Sequence, residues 1–172
     1  MPPPAHPARP AHSVRISEAL PAGLSAVHVI GVAYEPAPPE VTHALRLNDP
    51  SALVLVRRRL VTDPAGHFPL ELRTSYLPDI AGGSPLTRPY LLPGAWLRNI
   101  AAYTGRQPAT STIRINARSP TCWEAAALYL PPGANVLVRA TTLHTRAGQP
   151  IDHTVSIWPD TITINADIPS LP

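Results

Sequence analysis

Two strand-like runs, Leu53–Thr62 and Phe68–Leu77, flank the turn Asp63-Pro64-Ala65-Gly66. Such runs around a Pro/Gly turn read as a β-hairpin. A hairpin commits its stretch of chain to an antiparallel sheet, because parallel neighbours need a long crossover. The 24 prolines, massed at the start but also spread through the chain, tighten the constraint. Proline removes a backbone donor and is poorly tolerated inside helices and central strands. Short strands with regular turns are therefore favoured over a helical bundle.

The rest of the chain agrees with this beginning. Pro38 and Pro39 suit the start of a short helix, with Val41, Ala44 and Leu45 on one face. Ala81–Leu92 is a Gly/Pro loop. Pro93–Tyr103 reads as a helix with Trp96, Ile100 and Tyr103 on one stripe and Gly105 as its stop. Thr110–Ala117 alternates as a strand. Thr121-Cys122-Trp123-Glu124 forms a capping box, opening a helix that runs to Leu130 before Pro131. Asn135–Thr145 and Pro150–Trp158 are two strands joined by Arg146-Ala147-Gly148-Gln149, and Thr161–Ala166 is a candidate final strand. The expected class is α+β, an antiparallel sheet with helices packed on one face. Residues 1–13 read as a disordered Pro-rich leader, residues 14–50 as a lead-in segment with a short helix, and residues 51–169 as the main domain.

Composition narrows the function classes. At 172 residues the chain is long enough for one core, and 44% of it is hydrophobic. A net charge of +3 is too small to argue for nucleic-acid binding. The single cysteine, Cys122, excludes an internal disulfide and a cysteine-based zinc cage. There is no P-loop, dinucleotide fingerprint, nucleophile elbow or metal-spaced histidine pair, so no metal or cofactor is expected. With no signal segment and no long apolar run, the expected location is the cytoplasm, away from membranes.

Six pieces in order resemble the UTRA effector domain of GntR-type transcription regulators, HutC branch. They are Ala37-Pro38-Pro39-Glu40-Val41 with Leu45-Arg46-Leu47; Arg57-Arg58-Arg59-Leu60; Ser75-Tyr76-Leu77-Pro78; Ala117-Arg118-Ser119-Pro120-Thr121; Glu124-Ala125; and Gly148-Gln149-Pro150-Ile151-Asp152. The resemblance spans about Val32 to Pro169. It implies a chorismate-lyase-like fold with a pocket for a small metabolite, and a homodimer. The basic residues are all arginine, which reads as GC-rich coding bias of the actinobacterial kind. Three departures stand out. The family's winged helix-turn-helix would precede Val14, where only the Pro-rich leader stands. Arg73 stands where the family often has an acidic residue. Asp160 is followed by Thr161 and Ile162 rather than by arginine and an aromatic residue. On this reading the chain itself makes no nucleic-acid contact.

The candidate site residues follow from strand alternation. Arg57 and Arg59 share a face and suit a phosphate or carboxylate through bidentate bonds; the alternative is a polar strand end paired with Glu71. Arg58 points the other way, toward plain surface. Tyr76 is placed to hydrogen-bond a ligand or to serve as a core tyrosine. His153 lies on the apolar stripe Ile151, Val155 and Ile157, where it contacts ligand, does acid–base work or is a satisfied core histidine. Arg118, at the family's arginine position, reaches the pocket or ties strand to helix. Trp96 and Trp158 are candidate apolar lining. Two functions stay open: a sensor for a small anionic or polyketide-like molecule, and a cofactor-independent lyase, isomerase or cyclase in a natural-product pathway using His153 and Arg59.

Overall fold

A computed structural model of the protein describes residues 12–15, 26–159 and 162–165. The main body is a six-stranded antiparallel sheet in the order β2-β3-β4-β7-β6-β5. Its strands are β2 (Ala26–Pro36), β3 (Leu53–Thr62), β4 (Pro69–Leu77), β5 (Thr110–Arg118), β6 (Val136–His144) and β7 (Pro150–Pro159). Among the described residues three α-helices accompany it: α1 (Pro39–Leu45), α2 (Trp96–Thr104) and α3 (Cys122–Ala127). Two further strands, β1 (His12–Arg15) and β8 (Ile162–Asn165), pair in parallel as a separate two-stranded sheet.

The β3–β4 hairpin is closed as its turn residues dictate. The Asp63 carboxylate accepts a hydrogen bond from the Phe68 amide at 2.7 Å, and Gly66 takes φ +76°, a conformation that costs glycine little. The other landmark, β7, comes from far along the chain and inserts between β4 and β6. That insertion sets Tyr76 beside His153 and Ser75 beside Thr154.

Strand alternation gives the sheet two different faces. On one, α1 packs Val41 and Leu45 onto Val54 and Val56, and the turn after α3 packs Leu128 onto Leu72, Val138 and Ile157. On the other, α2 and a 3-10 turn at Pro85–Thr87 bring Ile100 and Leu86 onto Leu55, Leu77 and Leu143. Burying each of these aliphatic side chains contributes about 1.5–3 kcal/mol. The expected antiparallel α+β architecture is present, with the helices divided between the two faces.

Some boundaries differ from the sequence reading, each for a local reason. The segment before Ser51 supplies an eleven-residue edge strand, β2, paired along its length with β3. His12 and Ser13, assigned to the leader, fall in β1; residues 1–11 lie outside the described residues. α2 begins at Trp96 because Gly94 sits at φ +82°. α3 stops at Ala127 rather than Leu130, and Tyr129 turns to φ +51° ahead of Pro131. The final strand is Ile162–Asn165; Thr161 and Ala166 lie outside the described residues.

Candidate functional site

The sequence-derived candidates fall into two groups on opposite faces. Arg57, Arg59, Trp96 and Trp158 belong to the α2 face. Tyr76, His153 and Arg118 belong to the face of α1 and α3. The sheet lies between them, so no single pocket collects all seven.

On the α2 face the arginines are buried, not exposed strand-end residues. Arg57 is 1% exposed and donates to the backbone carbonyls of Leu86, Arg88 and Tyr90. Its guanidinium thereby holds the Pro/Gly loop against the sheet. Arg59 donates to Ser75 Oγ at 2.6 Å. Ser75 Oγ lies 2.7 Å from Thr154 Oγ1, which donates to Asp152 Oδ2 at 2.8 Å. Trp96 Nε1 reaches the same Asp152 oxygen at 3.4 Å, and the Trp96 ring lies 4.3 Å from the Arg59 guanidinium carbon. Burial, then the like charge of Arg73, push Arg59 down to about 9, while Asp152 and Glu71 oppose that. Glu71 is itself bonded to Arg73 at 2.7 and 2.8 Å; burial pushes its carboxyl up, and Arg73 outweighs this, holding it below the usual range. Glu71, expected to pair with the arginines of β3, is instead bonded to Arg73 within β4. Trp158 has Arg139 5.2 Å from its ring. The two tryptophans expected to line an apolar pocket thus lie beside arginines in a polar layer.

The α1/α3 face is built differently. One apolar cluster lies under α1 and includes Tyr76 at its edge; another lies under the turn after α3 and includes Val155 at its edge. Between them runs a polar seam contributed by neighbouring strands: Arg58, Thr74, Tyr76, His153, Thr142 and Arg114. His153 is buried, and its Nδ1 lies 2.9 Å from Thr142 Oγ1. Burial pushes the imidazole down; Glu40 pulls it up and Arg114 pushes it further down. Neutral imidazole both donates and accepts. The Tyr76 ring centre is 6.4 Å from that of His153, and burial pushes its hydroxyl up. Tyr76 packs against the cluster under α1, and Arg58 lies 5.9 Å from the ring of Trp123 on α3, so the seam runs between the two helices.

Arg58, read from sequence as plain surface, belongs to the seam. It makes a bidentate pair with Glu35 at 2.6 and 2.7 Å, and Trp123 lies 5.9 Å away. Its partner sits on a strand assigned to the lead-in segment, so sequence distance concealed the pair. Arg118 ties β5 to α3: it bonds both Glu124 oxygens at 2.7 and 2.8 Å. Glu124 also accepts from the Thr121 amide, closing the expected capping box. Burial raises the Glu124 carboxyl, and the Arg118 hydrogen bond outweighs it, leaving the group lowered. Thr142 and Arg114 were not singled out in the sequence; a threonine and an arginine on alternating strands give no local signal.

A surface depression of about 760 Å³ lies along α1 and is lined by Pro39, Thr42, His43, Arg46 and Asn48. It contains none of the buried polar groups that fix a ligand's orientation. Among the described residues no cluster of His, Cys, Asp and Glu could hold a metal ion, and no helix is long and apolar enough to cross a membrane.

A sequence model described as the UTRA domain matches residues 24–161. No curated protein sequence matches the chain. Among solved structures the chain is similar to the C-terminal domain of Yurk from Bacillus subtilis, at 19% identity and a TM-score of 0.69, covering 91% of this chain and 100% of that one. It is also similar to the effector domain of PhnF from Mycobacterium smegmatis, at 18% identity and a TM-score of 0.66, covering 84% and 88%. Against PhnF of the same organism the identity is 19%, the TM-score 0.70, and the coverage 93% and 73%. At these identities the likeness establishes the fold.

Proposed function

The chain belongs to the UTRA domain family, and from that premise we propose that it is a small-molecule-binding effector domain of a GntR-type regulator, with its ligand on the polar seam between α1 and α3. One observation carries the choice of face. The α1/α3 side keeps Tyr76, His153, Thr142 and Arg114 together between two apolar clusters, with Tyr76 and Arg114 reaching the surface, whereas on the α2 side Arg57 and Arg59 are both buried. Tyr76 is half-buried and Arg114 exposed, so the seam opens toward solvent. The arrangement suits a small ligand of mixed polarity: an anionic group toward Arg114, a hydrogen-bonding group at His153 or Tyr76, and an apolar part against Val155.

The sensing step follows from where the seam lies. A ligand touching both helices binds best at one spacing of α1 and α3, and so shifts the population toward it. Thermal melts with inorganic phosphate, benzoate and glucose 6-phosphate as probes test the site. At least one probe is expected to raise the melting temperature, and His153→Ala and Arg114→Ala to abolish the shift. A shift that survives both variants but is lost in Arg59→Met would move the ligand to the α2 face and refute the assignment.

A further inference from the structure

Two ion pairs beside the polar seam are closed: Arg58 with Glu35, and Arg118 with Glu124. Glu40 on α1 and Arg114 on β5 remain. Both are exposed, and neither forms an ion pair among the described residues. Arg114 stands in a row that runs across the strands through Ala140, Val155 and Thr74 to Arg58. The next row runs from Thr142 through His153 and Tyr76 to Val56. Ala140 and Val155 are apolar and only partly buried, so the floor beside the polar groups can take an apolar chain. Glu40 comes from above. Val41 and Leu45 turn the buried side of α1 onto Val54 and Val56. Thr42 lines the depression along α1 together with Leu47, Asn48 and Pro50, where the chain leads toward the start of β3. Two positions from Thr42, Glu40 points to the opposite flank of the helix, down β3 toward Tyr76 and Arg58. The electrostatics agree. After burial, the charges that act on the His153 imidazole are Glu40, which raises it, and Arg114, which lowers it.

We propose that the ligand of the seam is a zwitterion, an ω-amino acid of the length of 6-aminohexanoate. Its carboxylate lies at Arg114, its ammonium at Glu40, and its methylene chain on Ala140 and Val155. The inference rests on the seam being the ligand site, and it names what that site takes. Two opposite charges on either side of an apolar strip are complementary to a molecule with a charge at each end. The length follows from strand spacing. One strand separates β5 from β7, so the backbone of Arg114 is about 10 Å to the side of His153. An α-amino acid, with both charges on one carbon, would need both side chains to fold inward; an ω-amino acid spans the gap. The ammonium can also donate to Tyr76 or to the neutral imidazole of His153.

Amide-resolved NMR titrations of the full chain at about pH 7.5 give the test. The probes are 6-aminohexanoate, hexanoate, hexylamine and glycine. 6-Aminohexanoate is expected to bind at least about threefold more tightly than each of the other three, the scale of one partly exposed ion pair. Glu40→Gln is expected to remove its advantage over hexanoate, and Arg114→Gln its advantage over hexylamine. Both positions are exposed, and circular dichroism checks that the variants fold. Suppose hexanoate binds as well as 6-aminohexanoate, with shifts at Tyr76, His153 and Thr142. The zwitterion is then overturned and the seam stands. An advantage over hexanoate that survives Glu40→Gln overturns the zwitterion as well. Shifts confined to other elements, or no binding by any probe, overturn both the zwitterion and the seam.

Discussion

Arg59 and Asp152 are joined through two hydroxyls, Ser75 and Thr154, in links of 2.6, 2.7 and 2.8 Å. The direction is consistent from end to end. The guanidinium donates to Ser75, the Ser75 hydroxyl donates to Thr154, and Thr154 donates to the carboxylate. Two opposite charges on different strands are thereby coupled in a layer that excludes water, where a broken link leaves a buried group unsatisfied. Thr154→Val removes the central link while keeping the shape of the side chain. We expect it to lower unfolding free energy by about 1–3 kcal/mol in urea titrations. A change below about 0.5 kcal/mol, the range of ordinary surface substitutions, would mean the relay does not stabilise the fold.

His153 makes stability depend on pH. Its folded pKa lies below the ordinary 6.5, with burial as the main cause. Below 6.5 the unfolded chain therefore binds more protons than the folded one, and stability falls as pH drops. The urea midpoint should decrease from about pH 7.5 to about pH 5.5, above the range where the carboxylates titrate. His153→Phe should flatten that decrease. An equal slope in the variant would assign the effect to another group.

Arg57→Lys tests the clamp on the loop between β4 and α2. Lysine keeps the charge but cannot match three carbonyls with a planar fork. The expected cost is about 2–3 kcal/mol, the scale of lost hydrogen bonds to a buried charged group. Hydrogen exchange should accelerate within residues 81–92 before it does in β3. Uniform acceleration across the sheet would mean that the arginine stabilises the core and not the loop.

Thr121→Ala should cost about 1 kcal/mol, the usual worth of an N-cap. The loss should be smaller if Glu124 is already replaced by Ala, because both residues belong to one capping box. A double-mutant cycle showing strict additivity would contradict the coupling seen in the structure.

Local chemistry was legible in the sequence. Asp63-Pro64-Ala65-Gly66 announced the hairpin, Thr121 and Glu124 the helix start, and the two-residue spacing of Arg57 and Arg59 their common face. What the sequence could not show was adjacency across the sheet. Tyr76 meets His153, and Ser75 meets Thr154, only because β7 enters between β4 and β6. The partner of Arg58 lies 23 residues away on the edge strand. Arg57 looked like a ligand-binding group because an arginine on a strand gives no sign that carbonyls from a distant loop will close over it.

The way Arg57 holds that loop has an evolutionary consequence. Its acceptors are the main-chain oxygens of Leu86, Arg88 and Tyr90, so the clamp recognises the path of the chain and not the side chains along it. Substitutions at positions 88 and 90, whose side chains face outward, should be tolerated while the path is kept. Leu86 differs, because its side chain is also buried. The loop can therefore drift in composition under one fixed arginine, and a homologue could carry a different outer surface there without rebuilding the sheet beneath it.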